Sequence, residues 1–298
     1  MTQSSTAPTA PIAPRAAGSP MLRFHSLDPE ARFGLPTGRG TTPSSLTCFM
    51  LTVVIGGVFY GTAYAFRDGE WGSVVWEYAT GFGRIPIPII LLSIWSLVFL
   101  AIKTLKIHAQ SRALRLAFVP EDSGFVLTDA TADSVIDAID RSVDDPSRFL
   151  FLARCRGVLR MMRNLGRVSD ADEILSSRGD QDESSMDSGY TVLRGFIWAI
   201  PVLGFIGTVV GLTQAMGRFG EAMKAAGQDV GQITEKLKTV LEGLDTAFIT
   251  TAEALIAVLI IYLIQTAVRR ADEQLFDDIR AACSNAIVTR VRIVRKES

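Results

Sequence analysis

Hydrophobic positions along this chain are bunched into long runs, with no sustained strand-like alternation. Apolar stretches run from Leu46 to Phe66, from Ile85 to Ile102 ("IPIPIILLSIWSLVFLAI") and from Gly195 to Met216 ("GFIWAIPVLGFIGTVVGLTQAM"). Each has room to cross a bilayer core as a helix of roughly 20 residues. The last run is less simple. Counted from Ala254 to Val268 it holds about 15 apolar residues, too few for a span, so the helix must begin upstream. It then includes "DTAFITTAEALIAVLIIYLIQTAV", Asp245 to Val268, and Glu253 lies inside the membrane segment. The pattern predicts an all-α fold: a polytopic membrane protein with four transmembrane helices and a helical cytoplasmic domain.

The polar stretches divide the chain further. Residues 1–45 are rich in Pro, Ser, Thr, Ala and Gly and are expected to form a disordered tail. A first pair of transmembrane helices occupies 46–102, joined by "RDGEWGSVVWEYATGFGR", whose Trp71, Trp76 and Tyr78 suit a membrane interface. Residues 103–194 read as a helical domain: "TADSVIDAIDRS" puts Val135, Ile136 and Ile139 on one face. Within it Arg156, Arg160, Arg163 and Arg167 make a stripe: a solvated face, a face resting on anionic lipid headgroups, or a surface for a specific acidic partner. A second helix pair takes 195–268. After it, Leu275, Phe276, Ile279 and Ala282 keep helical spacing among charges, so 269–298 is expected to continue as a cytoplasmic helix.

Charge sets an orientation. Lys103, Lys106, Arg112 and Arg115 follow the second span, and Arg269 and Arg270 follow the fourth. The positive-inside rule then places both chain ends and the segment 103–194 in the cytoplasm. Arg218, Lys224, Lys236 and Lys238 in the opposite loop dilute that signal.

Composition agrees with a membrane protein. Of 298 residues 48% are hydrophobic and 20% charged, and the mean hydropathy is +0.27. The formal net charge of −1 offers no basic field for nucleic acid, so no nucleic-acid partner is expected. Cys48, Cys155 and Cys283 are far apart in sequence, and His25 and His108 sit in no ligand pattern. No cofactor, metal site or catalytic residue is therefore expected, and the chain does not read as an enzyme.

Candidate chemistry lies on two helix faces. At about 100° per residue, Pro201, Gly204, Gly207, Thr208, Gly211 and Ala215 share roughly one third of the third helix, with Val202, Phe205, Ile206, Val209 and Leu212 elsewhere. Pro201, Gly204, Gly207 and Gly211 are expected to be helix-packing positions, because small residues let backbones approach closely in a bilayer. On the fourth helix Gly243, Thr246, Ala247, Thr250, Glu253, Ala254 and Ala257 share an arc with Thr251 at its edge. Thr208, Thr250, Thr251 and Glu253 are the candidate ion-pathway residues. Two readings stay open at Thr208: a hydroxyl bonded back to its own helix, or one facing a hydrated path. They stay open at Glu253 too: a carboxyl on an ion route, or a neutral one bonded to nearby hydroxyls.

The stretches "IPVLGFIGTVVGLTQAM" and "GLDTAFITTAEALIAVLI" resemble the paired spans of the MotA/TolQ/ExbB proton channel family, over Trp198 to Val268. The first carries Pro and then Gly-x-x-Gly-Thr-x-x-Gly, and the second carries Ala-x-x-x-Thr-Ala. The resemblance implies that Thr208 and Thr251 match the threonines lining the ion path. It also implies a homopentamer in a bacterial inner membrane around a dimer of a single-span partner with a membrane-embedded Asp, the whole acting as an ion-driven motor. This chain departs from the family at Glu253, usually an apolar position, at Ala254, often Gly, and in lacking a later Pro in the fourth span. A non-conducting membrane scaffold is the competing reading.

Overall fold

The computed structural model describes residues 23–32, 34–38, 40–81, 84–116, 129–165, 171–224 and 230–287. Their regular structure is helical: α1 Phe24–Leu27, α2 Pro29–Arg32, α3 Ser45–Ala65, α4 Glu70–Trp76, α5 Pro86–Ala113, α6 Asp129–Ser142, α7 Leu150–Leu165, α8 Ala171–Gly189, α9 Thr191–Lys224 and α10 Val230–Ala286. A π-helical turn, Glu77–Gly81, follows α4, and a 3₁₀ turn, Pro146–Arg148, precedes α7. Four helices, α3, α5, α9 and α10, are long and apolar enough to cross a membrane. The expected all-α architecture of a multi-pass membrane protein holds.

The chain divides into two compact units, one drawn from Met1–Phe33, Lys106–Ser184 and Glu273–Ser298, the other from Gly34–Leu105 and Ser185–Asp272. The second, here the membrane unit, contains the four apolar stretches. Its interior is threaded by aromatic rings. Trp95 stacks on Phe99 at 5.3 Å between centroids and meets Phe196 edge-on at 4.7 Å, while Phe99 contacts Tyr190 at 6.3 Å. These rings tie α5 to α9 through offset and edge contacts worth about 1 kcal/mol each beyond burial. Val53, Val54 and Val58 on α3, Phe205 and Val209 on α9, and Leu255, Leu259 and Leu263 on α10 face outward. Apolar faces turned outward are what a bilayer accommodates and water does not.

Several hydroxyls in this unit are satisfied locally. The hydroxyls of Thr52, Ser93, Ser96 and Thr104 each donate to the carbonyl one turn earlier, at 2.7–2.8 Å. One ion pair is fully enclosed. Lys103 Nζ on α5 lies 2.8 Å from Asp272 Oδ2 on α10, and neither side chain is exposed. The Tyr190 hydroxyl donates to the same carboxylate oxygen at 3.3 Å, Lys103 Nζ sits 4.4 Å from the Tyr190 ring centroid, and it donates to Thr41 Oγ1 at 3.4 Å. With neither partner reaching solvent, each charge depends on the other.

The other unit packs helices around Val135, Ile139, Leu152, Val158 and Leu159, all buried. Phe24 meets the Phe149 ring edge-on at 5.6 Å, and Lys106 pairs with Glu30 at 2.5 Å and with Asp28 at 3.6 Å. The thiols of Cys155 and Cys283 lie 3.5 Å apart, both buried. Hydrogen bonding to Cys283, together with burial, holds the Cys155 thiol well above its usual range, so it stays protonated and unreactive.

Several boundaries differ from those expected. The disordered tail was expected over 1–45. Its first 22 residues lie outside those described. Phe24 to Arg32, by contrast, forms α1 and α2 and buries Phe24, Asp28, Glu30 and Ala31. One aromatic ring and two carboxylates anchor this segment despite a composition typical of a tail. The segments expected as a separate domain at 103–194 and a C-terminal helix at 269–298 do not begin at helix breaks. Instead α5 runs through Ala113 and α10 through Ala286, because no Gly or Pro interrupts either helix where its apolar run ends. The arginine stripe is partly used internally: Arg156 pairs with Asp140 at 3.2 Å and Arg160 is exposed. The side chains of Arg163 and Arg167 lie outside those described.

Replacing Lys103 with Met leaves Asp272 buried without its counter-charge. The expected loss is about 3–5 kcal/mol, read as a lowered unfolding midpoint in detergent. The double variant Lys103→Met, Asp272→Leu should recover most of that loss, since it removes both charges.

Candidate functional site

The contact between α9 and α10 is built from residues too small to keep the backbones apart. A β-carbon on Gly204 would stand 2.6 Å from Ala254 Cβ and 3.3 Å from the Thr250 carbonyl. One on Gly207 would overlap Thr250 Oγ1, and one on Gly211 would stand 2.7 Å from the Gly243 carbonyl and 2.8 Å from Ala247 N. A β-carbon on Gly243 would in turn stand 3.1 Å from that of Ala215. Gly204, Gly207 and Gly211 are therefore packing positions. Pro201 lies three residues before Gly204 inside a continuous α9 and is half-buried.

The close approach carries two hydroxyls into one another. Thr208 Oγ1 and Thr251 Oγ1 are in direct hydrogen-bond contact. Around them stand the carbonyls of Ala247, 3.1 Å from either hydroxyl, and of Gly204, 3.0 Å from Thr251 Oγ1 and 3.4 Å from Thr208 Oγ1. Each hydroxyl has one proton, so these several short approaches are alternatives, and the cluster can redistribute its donors without moving a backbone. Both residues are half-buried. At Thr208 the two readings left open by the sequence coincide, since the hydroxyl reaches back to Gly204 and across to α10.

Thr250 is placed differently. It is fully buried, its hydroxyl donates to the Thr246 carbonyl at 2.9 Å, and it forms the surface against which Gly207 packs. Thr246 likewise donates to the Glu242 carbonyl, at 2.8 Å. Both hydroxyl protons are spent on the helix itself. Glu253 Oε2 is buried and has no hydrogen-bond partner among the described residues. The structure thus brings Thr208 and Thr251 together, puts Thr250 beside them as packing, and leaves Glu253 outside the hydroxyl cluster. Thr213, on the other side of α9, is exposed and bonds back to Val209 at 2.7 Å.

Sequence reasoning did not find Lys103, Tyr190 or Asp272. Lys103 read as a flanking charge and Asp272 as part of a charged helix. Only their spatial meeting gives them meaning.

Residues 146–281 match the model of the MotA/TolQ/ExbB proton channel family, and so extend the likeness from the two motif-bearing helices to α7 and α8. No curated protein and no solved structure matches the chain.

Gly211→Ala adds one methyl where the α10 backbone already stands, and is expected to cost about 1–3 kcal/mol by overpacking. Gly217→Ala, where a β-carbon meets nothing within 4 Å, should be neutral or slightly stabilising. Thermal unfolding of the two variants side by side checks the assignment of faces.

Proposed function

Because residues 146–281 belong to the MotA/TolQ/ExbB proton channel family, we propose that this chain is the ion-conducting subunit of an ion-driven membrane motor. The observation that carries the reading is the contact of Thr208 with Thr251, hydroxyl to hydroxyl, between two tightly packed apolar helices. A hydroxyl pair can accept a proton or water on one side and donate on the other, which an aliphatic contact cannot. The glycine face fixes the distance at which this happens, so the pair needs no reorganisation to serve.

In this reading a homopentamer surrounds a dimer of a single-span partner in a bacterial inner membrane, and the partner's membrane Asp takes and releases the ion. The proton is the ion favoured by the family. Each elementary charge crossing 100 mV supplies about 2.3 kcal/mol, enough to bias a step between packed states. Both chain ends lie in the cytoplasm, following the Lys and Arg flanking the second and fourth spans. Thr208, Thr251 and Glu253 stand on or beside the route, while Thr250 with Gly204, Gly207 and Gly211 holds its walls. One observation favours the rival, a non-conducting scaffold. The hydroxyls of Thr246, Thr250 and Thr251 all have backbone carbonyls within hydrogen-bond reach, as assembly alone would require.

Proton uptake by membrane vesicles from cells producing the full assembly separates the two. Thr208→Val and Thr251→Val keep shape and remove a hydroxyl, and each is expected to lower flux at least about tenfold at equal membrane content. Thr213→Val should leave flux unchanged. Glu253→Gln should abolish flux with assembly intact by native mass spectrometry. No flux above background from the wild-type assembly would leave the scaffold reading standing, and full flux in both threonine variants would take the hydroxyl pair off the route.

A further inference from the structure

Three guanidiniums gather around α7 and α8, and two of them are paired. Arg154 on α7, with a side chain only 3% exposed, donates from Nε and Nη2 to Asp182 Oδ2 on α8 at 3.2 and 2.7 Å. Arg280 on α10 lies 3.1 Å from Asp180 Oδ1 and 3.7 Å from Glu183 Oε2. The third, Arg178 on α8, is half-buried and has no ion-pair or hydrogen-bond partner among the described residues.

The place of the Arg178 guanidinium is set by a missing side chain. Gly157 lies in the interior of α7, and a β-carbon there would stand 3.0 Å from Arg178 Cζ and 3.4 Å from its Nη2. A glycine inside a helix costs about 1 kcal/mol relative to alanine. Here it leaves room for the guanidinium to lie against α7.

Beside it opens a cleft of about 150 Å³, lined by Leu150, Ala153, Arg154, Arg178, Gln181 and Asp182. Pockets for drug-sized ligands begin at roughly 300 Å³, so an occupant here is small. Two guanidiniums stand in the wall against one carboxylate, which favours an anion. The guanidinium fork matches two oxygens of a phosphate or carboxylate. Asp182 narrows the choice. Both bonds from Arg154 fall on its Oδ2, so Oδ1 is left as an acceptor. Such an acceptor repels an oxyanion that carries no proton, as sulfate does not, but takes the O–H of hydrogen phosphate.

We propose that the cleft between α7 and α8 binds inorganic phosphate in its protonated forms, with Arg178 meeting the charge and Asp182 Oδ1 accepting the phosphate O–H. The site is independent of the channel reading above.

Isothermal titration calorimetry of the full chain in detergent, near neutral pH and at constant ionic strength, tests it with sodium phosphate and sodium sulfate. Phosphate should bind saturably, and sulfate at least about tenfold more weakly because it offers Asp182 no proton. Arg178→Gln should weaken phosphate binding at least about tenfold, through loss of charge-assisted hydrogen bonds. Gly157→Ala keeps every charge, displaces the guanidinium and should weaken binding as well. Arg160→Gln, at an exposed position of the same helix, should change nothing. No saturable binding of phosphate by the wild-type protein overturns the site. So does sulfate binding as tight as that of phosphate, or wild-type affinity in both Arg178→Gln and Gly157→Ala.

Discussion

Where Gly211 faces Gly243 and Ala247, no room is left for a β-carbon, and the same is true where Gly204 meets Ala254. This exclusion governs the rest of the membrane unit. Helices in lipid gain little from hiding apolar surface from one another, so their association depends on close packing and on polar contacts that distance would abolish. The glycines bring the Ala247 carbonyl on α10 to 3.1 Å from the Thr208 hydroxyl on α9, and the Gly204 carbonyl to 3.0 Å from that of Thr251. Larger residues at these positions would separate the hydroxyls.

Polar groups within the unit follow two strategies with different energetics. Short hydroxyls bond to their own helix and are nearly neutral in cost. The Lys103–Asp272 pair is enclosed at 0% side-chain exposure on both sides, so it adds little net stability as a pair and costs much if halved. Tyr190 donates to the Oδ2 of the carboxylate and offers a ring face to the ammonium. Glu253 follows neither strategy. Among the described residues no ion pair reaches it, and its Oε2, like Gln265 Oε1 and Asp272 Oδ1, has no hydrogen-bond partner. A carboxyl inside a membrane span is a place where chemistry beyond packing is expected.

The remaining unit is held by more ordinary means. A buried aliphatic core, the Phe24–Phe149 edge contact and the Lys106–Glu30 pair fix its N-terminal segment, while the buried thiols of Cys155 and Cys283 fill space between α7 and α10. The far-apart cysteines had no spacing from which their meeting could be foreseen, since proximity across 128 positions is a property of the fold.

The apolar runs by themselves determined the number of spans and the helical class, because a bilayer leaves a backbone few ways to satisfy its hydrogen bonds. The recurrence of Gly204, Gly207 and Gly211 at helical spacing likewise marked the tight face, while Thr208 and Thr251 were singled out as a pair by the resemblance to the channel family's paired spans. What the sequence could not say is which of the polar residues on those faces meet. Thr250 and Thr251 are adjacent in the chain, yet one is spent on its own helix against Gly207 and the other reaches Thr208. The pairing of Lys103 with Asp272 was also decided only by the tertiary structure. Helical periodicity fixes the angle at which a side chain leaves its own axis, but the partner it finds depends on the rotation and depth of another helix, which many packed contacts set together.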